Sequence, residues 1–150
     1  MEYYIYLNAP EYLAQFVKHN FGDPVELIRD SPESRILREY LAKTPEDYKP
    51  EEETYNIRIR IPCFKEKDPR VYNYISSYVK QSLVDSFEEL FKRSMWGEIG
   101  ALGNLRCKTV NIIYSYMERN GVDQRHWETV SKKWYRLRKT YLKEKGITVF

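Results

Sequence analysis

Hydrophobic and polar residues alternate most regularly between residues 54 and 61, which read TYNIRIRI. Successive side chains of a β-strand point to opposite faces of the sheet. A repeat of two residues therefore predicts a strand with one buried and one exposed face. Arg58 and Arg60 fall on the polar face, and we interpret them as solvent-exposed.

The chain before this strand shows the patterns of two strands, each followed by a helix. Tyr3–Leu7 is dense in residues that favour strands, and Val25–Ile28 predicts a shorter strand. The first helix should end at Gly22, while Ser31, a good N-cap residue followed by proline, should begin the second. The buried stripe of the second helix would comprise Ile36, Leu37, Tyr40 and Leu41.

From Asp68 onward the pattern becomes helical. Asp68 and the following proline resemble an N-cap and a first helical residue, and no glycine or proline follows until Gly97. Gly97, Gly100 and Gly103 then predict a bend or loop. The sequence thus predicts an α+β fold, with about three strands and two helices in a small α/β part (residues 1–66) and a helical part over residues 67–150. The acidic, proline-containing segment Thr44–Glu53 would form a solvated loop.

Two further helices are predicted near the C-terminus. Leu105–Met117 forms the first, and Asn120-Gly121 suits the left-handed backbone that commonly ends a helix. The second runs from Gln124 to about Lys145, with Asp123 as its cap. Two helices joined by so short a turn follow the generic helix-turn-helix layout, which many unrelated helix pairs share.

The second of these helices has an apolar and a basic side. Its apolar residues are three or four positions apart, which predicts a buried stripe and makes its two tryptophans packing residues. At about 100° per residue, five basic residues lie on the opposite side within about 60° of one another. The stripe comprises Trp127, Val130, Trp134, Leu137 and Tyr141; the basic residues are Arg125, Lys132, Arg136, Lys139 and Lys143, flanked by Thr129, Lys133 and Thr140.

The net charge of +3 conceals a gradient along the chain. Residues 1–53 contain 6 Lys and Arg against 12 Asp and Glu, residues 54–103 contain 8 against 6, and residues 104–150 contain 11 against 4. A cationic end attracts polyanions, whereas an acidic end repels them. The gradient assigns partner contact or dimerisation to the N-terminal part and polyanion binding to the C-terminal part.

These features predict a nucleic-acid-binding protein, most simply one that binds double-stranded DNA as a regulator or mobile-element accessory factor. Arginine and lysine beside hydroxyl groups suit phosphate neutralisation and contacts to base edges in a major groove. Because a single helix-turn-helix unit seldom binds specifically, a homodimer is expected. RNA is an alternative target, and a protein-interaction or assembly module whose basic side meets an acidic partner surface is an alternative function. The predicted binding residues are Arg125, Thr129, Lys132, Lys133, Arg136, Lys139 and Lys143.

The sequence predicts neither catalytic, metal nor cofactor chemistry. The two histidines, His19 and His126, and the two cysteines, Cys63 and Cys107, have no metal-finger spacing. We expect the cysteines to be reduced, buried thiols. The sequence shows no signal-peptide pattern and no apolar run of about 20 residues, so we expect a cytoplasmic protein without a membrane partner.

Overall fold

The structure, a computed structural model, describes residues 2–48, 54–102 and 108–144. Within these residues the chain forms four short strands, in two antiparallel pairs, and five α-helices, so the α+β prediction is confirmed. Its internal packing divides it into two units, Met1–Glu88 and Glu89–Phe150. This division falls later in the chain than residue 66, and the organisation into parts of residues 1–66 and 67–150 stays a prediction.

The alternating segment forms one strand of the first sheet. Strand β1 (Tyr4–Leu7) pairs antiparallel with β3 (Ile57–Arg60), and Ile5 lies opposite Ile59. Both isoleucines are buried, at 3% and 0% exposure. The two-residue repeat therefore placed the apolar face of this strand correctly, because one side of the pair packs into the core.

The remaining strands differ from the prediction. Val25 forms only an isolated parallel bridge with Ile59, where the sequence suggested a strand over Val25–Ile28. The third strand of the N-terminal part is instead β2 (Ala42–Lys43), which pairs antiparallel with β4 (Tyr72–Tyr74). These two-residue and three-residue strands depend on each other for hydrogen bonds, so neither is visible as a local pattern.

Both N-terminal helices form close to where their end signals predicted. Helix α1 (Glu11–Phe21) is followed by Gly22 at φ 90°, a conformation that glycine adopts without strain. Helix α2 (Pro32–Tyr40) begins after Ser31, whose hydroxyl accepts a 3.2 Å hydrogen bond from the Ser34 N–H. The serine cap and first-turn proline are thus confirmed.

The buried side of α2 is only partly the predicted stripe. Leu37 and Leu41 are buried, but Tyr40 is 53% exposed. Glu33, in the first turn of α2, is buried and accepts a 2.6 Å hydrogen bond from the Ser86 hydroxyl. The pairing offsets the cost of burying the carboxylate, and it depends on a residue far along the chain.

The helix predicted from Asp68 begins later. The Asp68 carboxylate accepts hydrogen bonds from the backbone N–H and guanidinium of Arg70, at 2.9 and 2.7 Å, and so closes a turn instead of capping a helix. Strand β4 follows, and helix α3 (Ser77–Leu102) starts only after it. The predicted helix start was therefore wrong.

The predicted bend at the glycines is also wrong within the described residues. Helix α3 continues through Gly97 and Gly100, while Gly103 lies outside the described residues. Each glycine costs about 1 kcal/mol in a helix interior. A row of buried side chains, four positions apart on α3, outweighs that cost: Leu83, Phe87, Phe91, Met95 and Ile99.

The second unit contains the predicted helix pair. Helix α4 (Thr109–Arg119) is followed by Gly121 at φ 69°, and the Val122 N–H donates a 2.9 Å hydrogen bond to the Met117 carbonyl. This is the helix-ending motif that Asn120-Gly121 predicted. Residues 105–107 of the predicted helix lie outside the described residues.

Helix α5 (Trp127–Glu144) begins three residues later than predicted, because a 3₁₀ turn over Gln124–His126 precedes it. The Asp123 side chain accepts a 2.9 Å hydrogen bond from the Arg125 backbone N–H, as a capping residue does. Among the described helices, none has the length and apolar character needed to cross a membrane.

Candidate nucleic-acid interface

The apolar side of α5 packs most tightly near the middle of the helix. Val130 is fully buried, and Trp134 is 5% exposed with its ring centroid 5.5 Å from that of Trp96. Toward the C-terminal end, Tyr141 lies 4.0 Å from Trp96 but is 36% exposed. Trp134 is therefore a packing residue, as predicted, and the stripe becomes more exposed along the helix.

Trp127 occupies the first position of α5 and is only partly buried. Its ring stacks on Tyr114 of α4, with centroids 5.4 Å apart and an interplanar angle of 22°. Stacked aromatic pairs contribute about 0.5–1.5 kcal/mol beyond the area they bury. This contact helps to hold α5 on α4.

The opposite side of α5 is open to solvent. Lys133 is partly exposed, and the other predicted binding residues are all exposed. The structure thus presents these residues on the surface in the part of the chain that it describes. The exposed ones are Arg125, Thr129, Lys132, Arg136, Lys139 and Lys143.

Arg125 does not belong to the helical row. It lies in the 3₁₀ turn, where about three residues complete a turn, so the angular spacing of an α-helix does not apply to it. Lys132, Arg136, Lys139 and Lys143 remain on α5 itself, and we call these four residues the α5 basic row. They span about 16 Å along the helix axis.

The charges of the α5 basic row are mostly uncompensated. Lys132 forms a 2.9 Å ion pair with Glu128, and this hydrogen-bonded contact lowers the pKa of the Glu128 carboxyl. Such an exposed pair is screened by solvent and opens readily. Within residues 2–48, 54–102 and 108–144, no carboxylate pairs with Arg136, Lys139 or Lys143.

An apolar hollow of about 380 Å³ lies between α3 and α5 in the second unit. Its lining combines apolar residues with polar and charged ones: Trp96, Gly97, Leu137, Tyr141, Thr140, Lys92, Arg93 and Glu144. Sequence analysis missed this hollow because it requires both helices. Gly97 is the one lining residue that could have drawn attention from the sequence, because it lacks a side chain. A Cβ added there would meet no atom within 4 Å.

Arg138 was also missed. This exposed residue lies outside the basic row and lines a cavity of about 270 Å³ with Trp134 and Tyr135. Its helical position, between the apolar stripe and the basic side, gave no reason to select it. It places further positive charge on the same helix.

The two strand arginines do not extend a basic surface. Arg58 pairs with Asp23 at 3.3 Å, and Arg60 pairs with Glu2 at 3.2 Å and also with Glu26. Their positive charges are therefore compensated locally. The face of β3 remains an ordinary surface, as interpreted from the sequence.

The residue types of metal and nucleophilic sites are dispersed. Among the described residues, no three His, Cys, Asp or Glu side chains are grouped to hold a metal ion. Cys63 is free and exposed, so the expectation of a buried thiol was wrong for it, and Cys107 lies outside the described residues. Cys63 lies in the loop after β3, where its side chain is exposed to solvent, and no local feature of the sequence indicated this.

Charge separates clearly between the two units. The first, residues 1–88, contains 12 Lys and Arg against 16 Asp and Glu, a net of −4. The second, residues 89–150, contains 13 against 6, a net of +7. The α5 basic row therefore lies in the cationic unit.

Comparison of the chain with protein-family models, curated proteins and solved structures found no match.

Proposed function

We propose that this protein binds double-stranded DNA through the exposed side of α5. The observation that carries the proposal is the α5 basic row, three of whose four members have no acidic partner among the described residues. The row is opposite a side of the helix that Val130 and Trp134 anchor in the core. A helix held in this way can present its cations at fixed positions.

The dimensions of the row support a major-groove contact. The major groove of B-DNA is about 12 Å wide and admits one α-helix. A row about 16 Å long offers several cations to the phosphates that border the groove. Thr129 and Thr140, both exposed on α5, supply hydroxyls for phosphates or base edges.

The surroundings of α5 fit the same function. The net of +7 on the second unit would attract a polyanion and raise its association rate. Helices α4 and α5 follow each other in helix-turn-helix order, and proteins of that type commonly bind two half-sites as dimers. We therefore propose a homodimeric, non-enzymatic role as a regulator or mobile-element accessory factor.

A second candidate is supported by the opposite charges of the two units. The first unit, with its net of −4, offers an acidic surface that the α5 basic row of another copy could contact. The protein would then be an assembly module. Measuring duplex binding and self-association of the same protein separates the two candidates. DNA binding through α5 predicts that the labelled duplex binds, whereas an assembly module predicts that the protein self-associates without binding the duplex.

The test is fluorescence anisotropy of a labelled duplex over a series of salt concentrations. If Arg125 and the four row residues each neutralise one phosphate, log K should fall against log salt with a slope of roughly −4 to −5. Replacing Arg136, Lys139 and Lys143 with glutamine should make the slope shallower by about 2.7. An RNA duplex of equal length distinguishes RNA from DNA as the preferred target.

The matched control removes three lysines of the first unit, Lys18, Lys43 and Lys80, by the same substitution. It changes the net charge equally and should leave the slope almost unchanged. Equal loss in both triple variants would show that net charge, and not the α5 basic row, governs binding. A flat salt response of the unaltered protein would refute the DNA proposal.

A further inference from the structure

The acidic first unit contains a cleft in which positive charge gathers. Its volume is about 600 Å³, and it runs along α2, between the segment before that helix and the loop after β3. Arg29, Arg35, Arg38 and Lys65 contribute its cations. This is the reverse of the unit's overall charge, so the cleft is a local feature and not a consequence of composition.

The cations of the cleft outnumber the carboxylates near them. Arg38 forms a 3.2 Å ion pair with Glu66, and Asp30 adds a carboxylate to the lining. Among the described residues, Arg29 and Arg35 have no acidic partner. Lys65 forms no ion pair there, but its charge adds to a backbone hydrogen bond and to Arg38 in lowering the pKa of the Glu66 carboxyl.

Two of these cations are neighbours on α2. Arg35 and Arg38 are three positions apart and therefore adjacent on one face of α2, where like charges repel. Lys65 approaches the same space from a different segment. An anion bound between them would replace this repulsion with attraction, and arginine in particular binds phosphate through two parallel hydrogen bonds.

Part of the remaining lining is suited to an apolar group, beside Asp30, Ser34 and Cys63. Leu27, Pro62 and Phe64 form part of the wall and are each partly buried. A volume of 600 Å³ is typical of small-molecule sites, which range from about 300 to 1,000 Å³. A ligand that fits both halves of the cleft carries several phosphate charges and a ring system of nucleotide size.

We propose that this cleft binds a small organic polyphosphate of the nucleoside triphosphate class. Arg29, Arg35 and Lys65 hold its phosphates, and Phe64 and its apolar neighbours contact its ring. The site belongs to the first unit, so this proposal is independent of DNA binding by α5. The acidic N-terminal part as a whole is still expected to repel a nucleic-acid backbone, and this cleft would be a local exception.

The test is isothermal titration calorimetry of the full chain with three probes: ATP, inorganic tripolyphosphate and adenosine. ATP should bind most tightly, tripolyphosphate more weakly because it leaves the apolar wall unused, and adenosine most weakly. Replacing Arg35 and Lys65 with glutamine should weaken ATP binding tenfold or more, because each substitution removes a charged hydrogen bond to phosphate.

Two controls separate this site from general charge and from α5. The double replacement of Lys18 and Lys43 with glutamine, and the triple variant of the α5 basic row, should both leave ATP affinity unchanged. The proposal is overturned if the unaltered protein binds neither ATP nor tripolyphosphate, or if either control loses affinity equally. A third outcome also overturns it: the double replacement of Arg35 and Lys65 weakens binding of duplex DNA, and ATP does not compete with that DNA. The cleft would then be a nucleic-acid surface.

Discussion

Replacing Trp134 with alanine tests whether α5 faces the core as the structure shows. Trp134 is 5% exposed, and a buried tryptophan removes about 200 Å² from water, which at about 25 cal/mol per Å² stabilises the fold by about 5 kcal/mol. Its indole Nε1 is buried without a hydrogen-bond partner among the described residues, which costs about 1–2 kcal/mol. We therefore expect Trp134→Ala to lower the free energy of unfolding by about 3–4 kcal/mol.

Urea denaturation followed by far-UV circular dichroism measures this change as a shift of the midpoint at constant slope. Trp134→Phe keeps an aromatic ring and removes the unpaired N–H, so it should cost only about 1 kcal/mol. Arg136→Ala, on the exposed side, should change stability by no more than about 0.5 kcal/mol. If Trp134→Phe costs as much as Trp134→Ala, the indole N–H of Trp134 is hydrogen-bonded and the expected cost of about 3–4 kcal/mol rests on a wrong assumption. A cost below about 1 kcal/mol for Trp134→Ala would refute the burial of this side.

Two further predictions concern α3 and the buried tyrosines. Gly97→Ala should raise the free energy of unfolding by up to about 1 kcal/mol, because alanine favours the helix more than glycine and its Cβ would enter open space. Thermal denaturation measures the change, and a lower midpoint for the variant would contradict the prediction. Burial, together with a hydrogen bond to Glu88, raises the pKa of Tyr12 above its usual value of about 10, and burial does the same for Tyr116. Because both pKa values are higher in the folded state, stability should be fully present below pH 10 and decline as the pH rises above it. Ultraviolet titration in which all 14 tyrosines ionise near pH 10 without unfolding would disprove this.

Local features of the sequence determined much of the secondary structure. The serine cap before α2, the Asn120-Gly121 ending of α4 and the alternation through Ile57 and Ile59 all produced the elements they predicted. Each of these signals acts between residues at most a few positions apart. Such signals can therefore be recognised from the sequence of one chain.

The exposed position of the candidate binding residues of α5 could be predicted from the sequence for the same reason. Helical periodicity alone assigned Val130 and Trp134 to the buried side and Arg136, Lys139 and Lys143 to the exposed side. Arg125 was the exception, because a short 3₁₀ turn shifts residues out of the α-helical register without leaving a compositional signal.

Contacts between distant residues decided the rest. The hydrogen bond from Ser86 allowed Glu33 to be buried, and the pairing of β2 with β4 created strands too short to carry a pattern. The row of buried side chains on α3 carried that helix through Gly97 despite the glycine's propensity. The cationic cleft arises in the same way, since Arg35 and Lys65 line one cleft only because α2 and the loop after β3 fold together. A few kcal/mol from such long-range contacts exceeds the fraction of a kcal/mol that local propensity supplies per residue, so tertiary structure prevails wherever the two disagree.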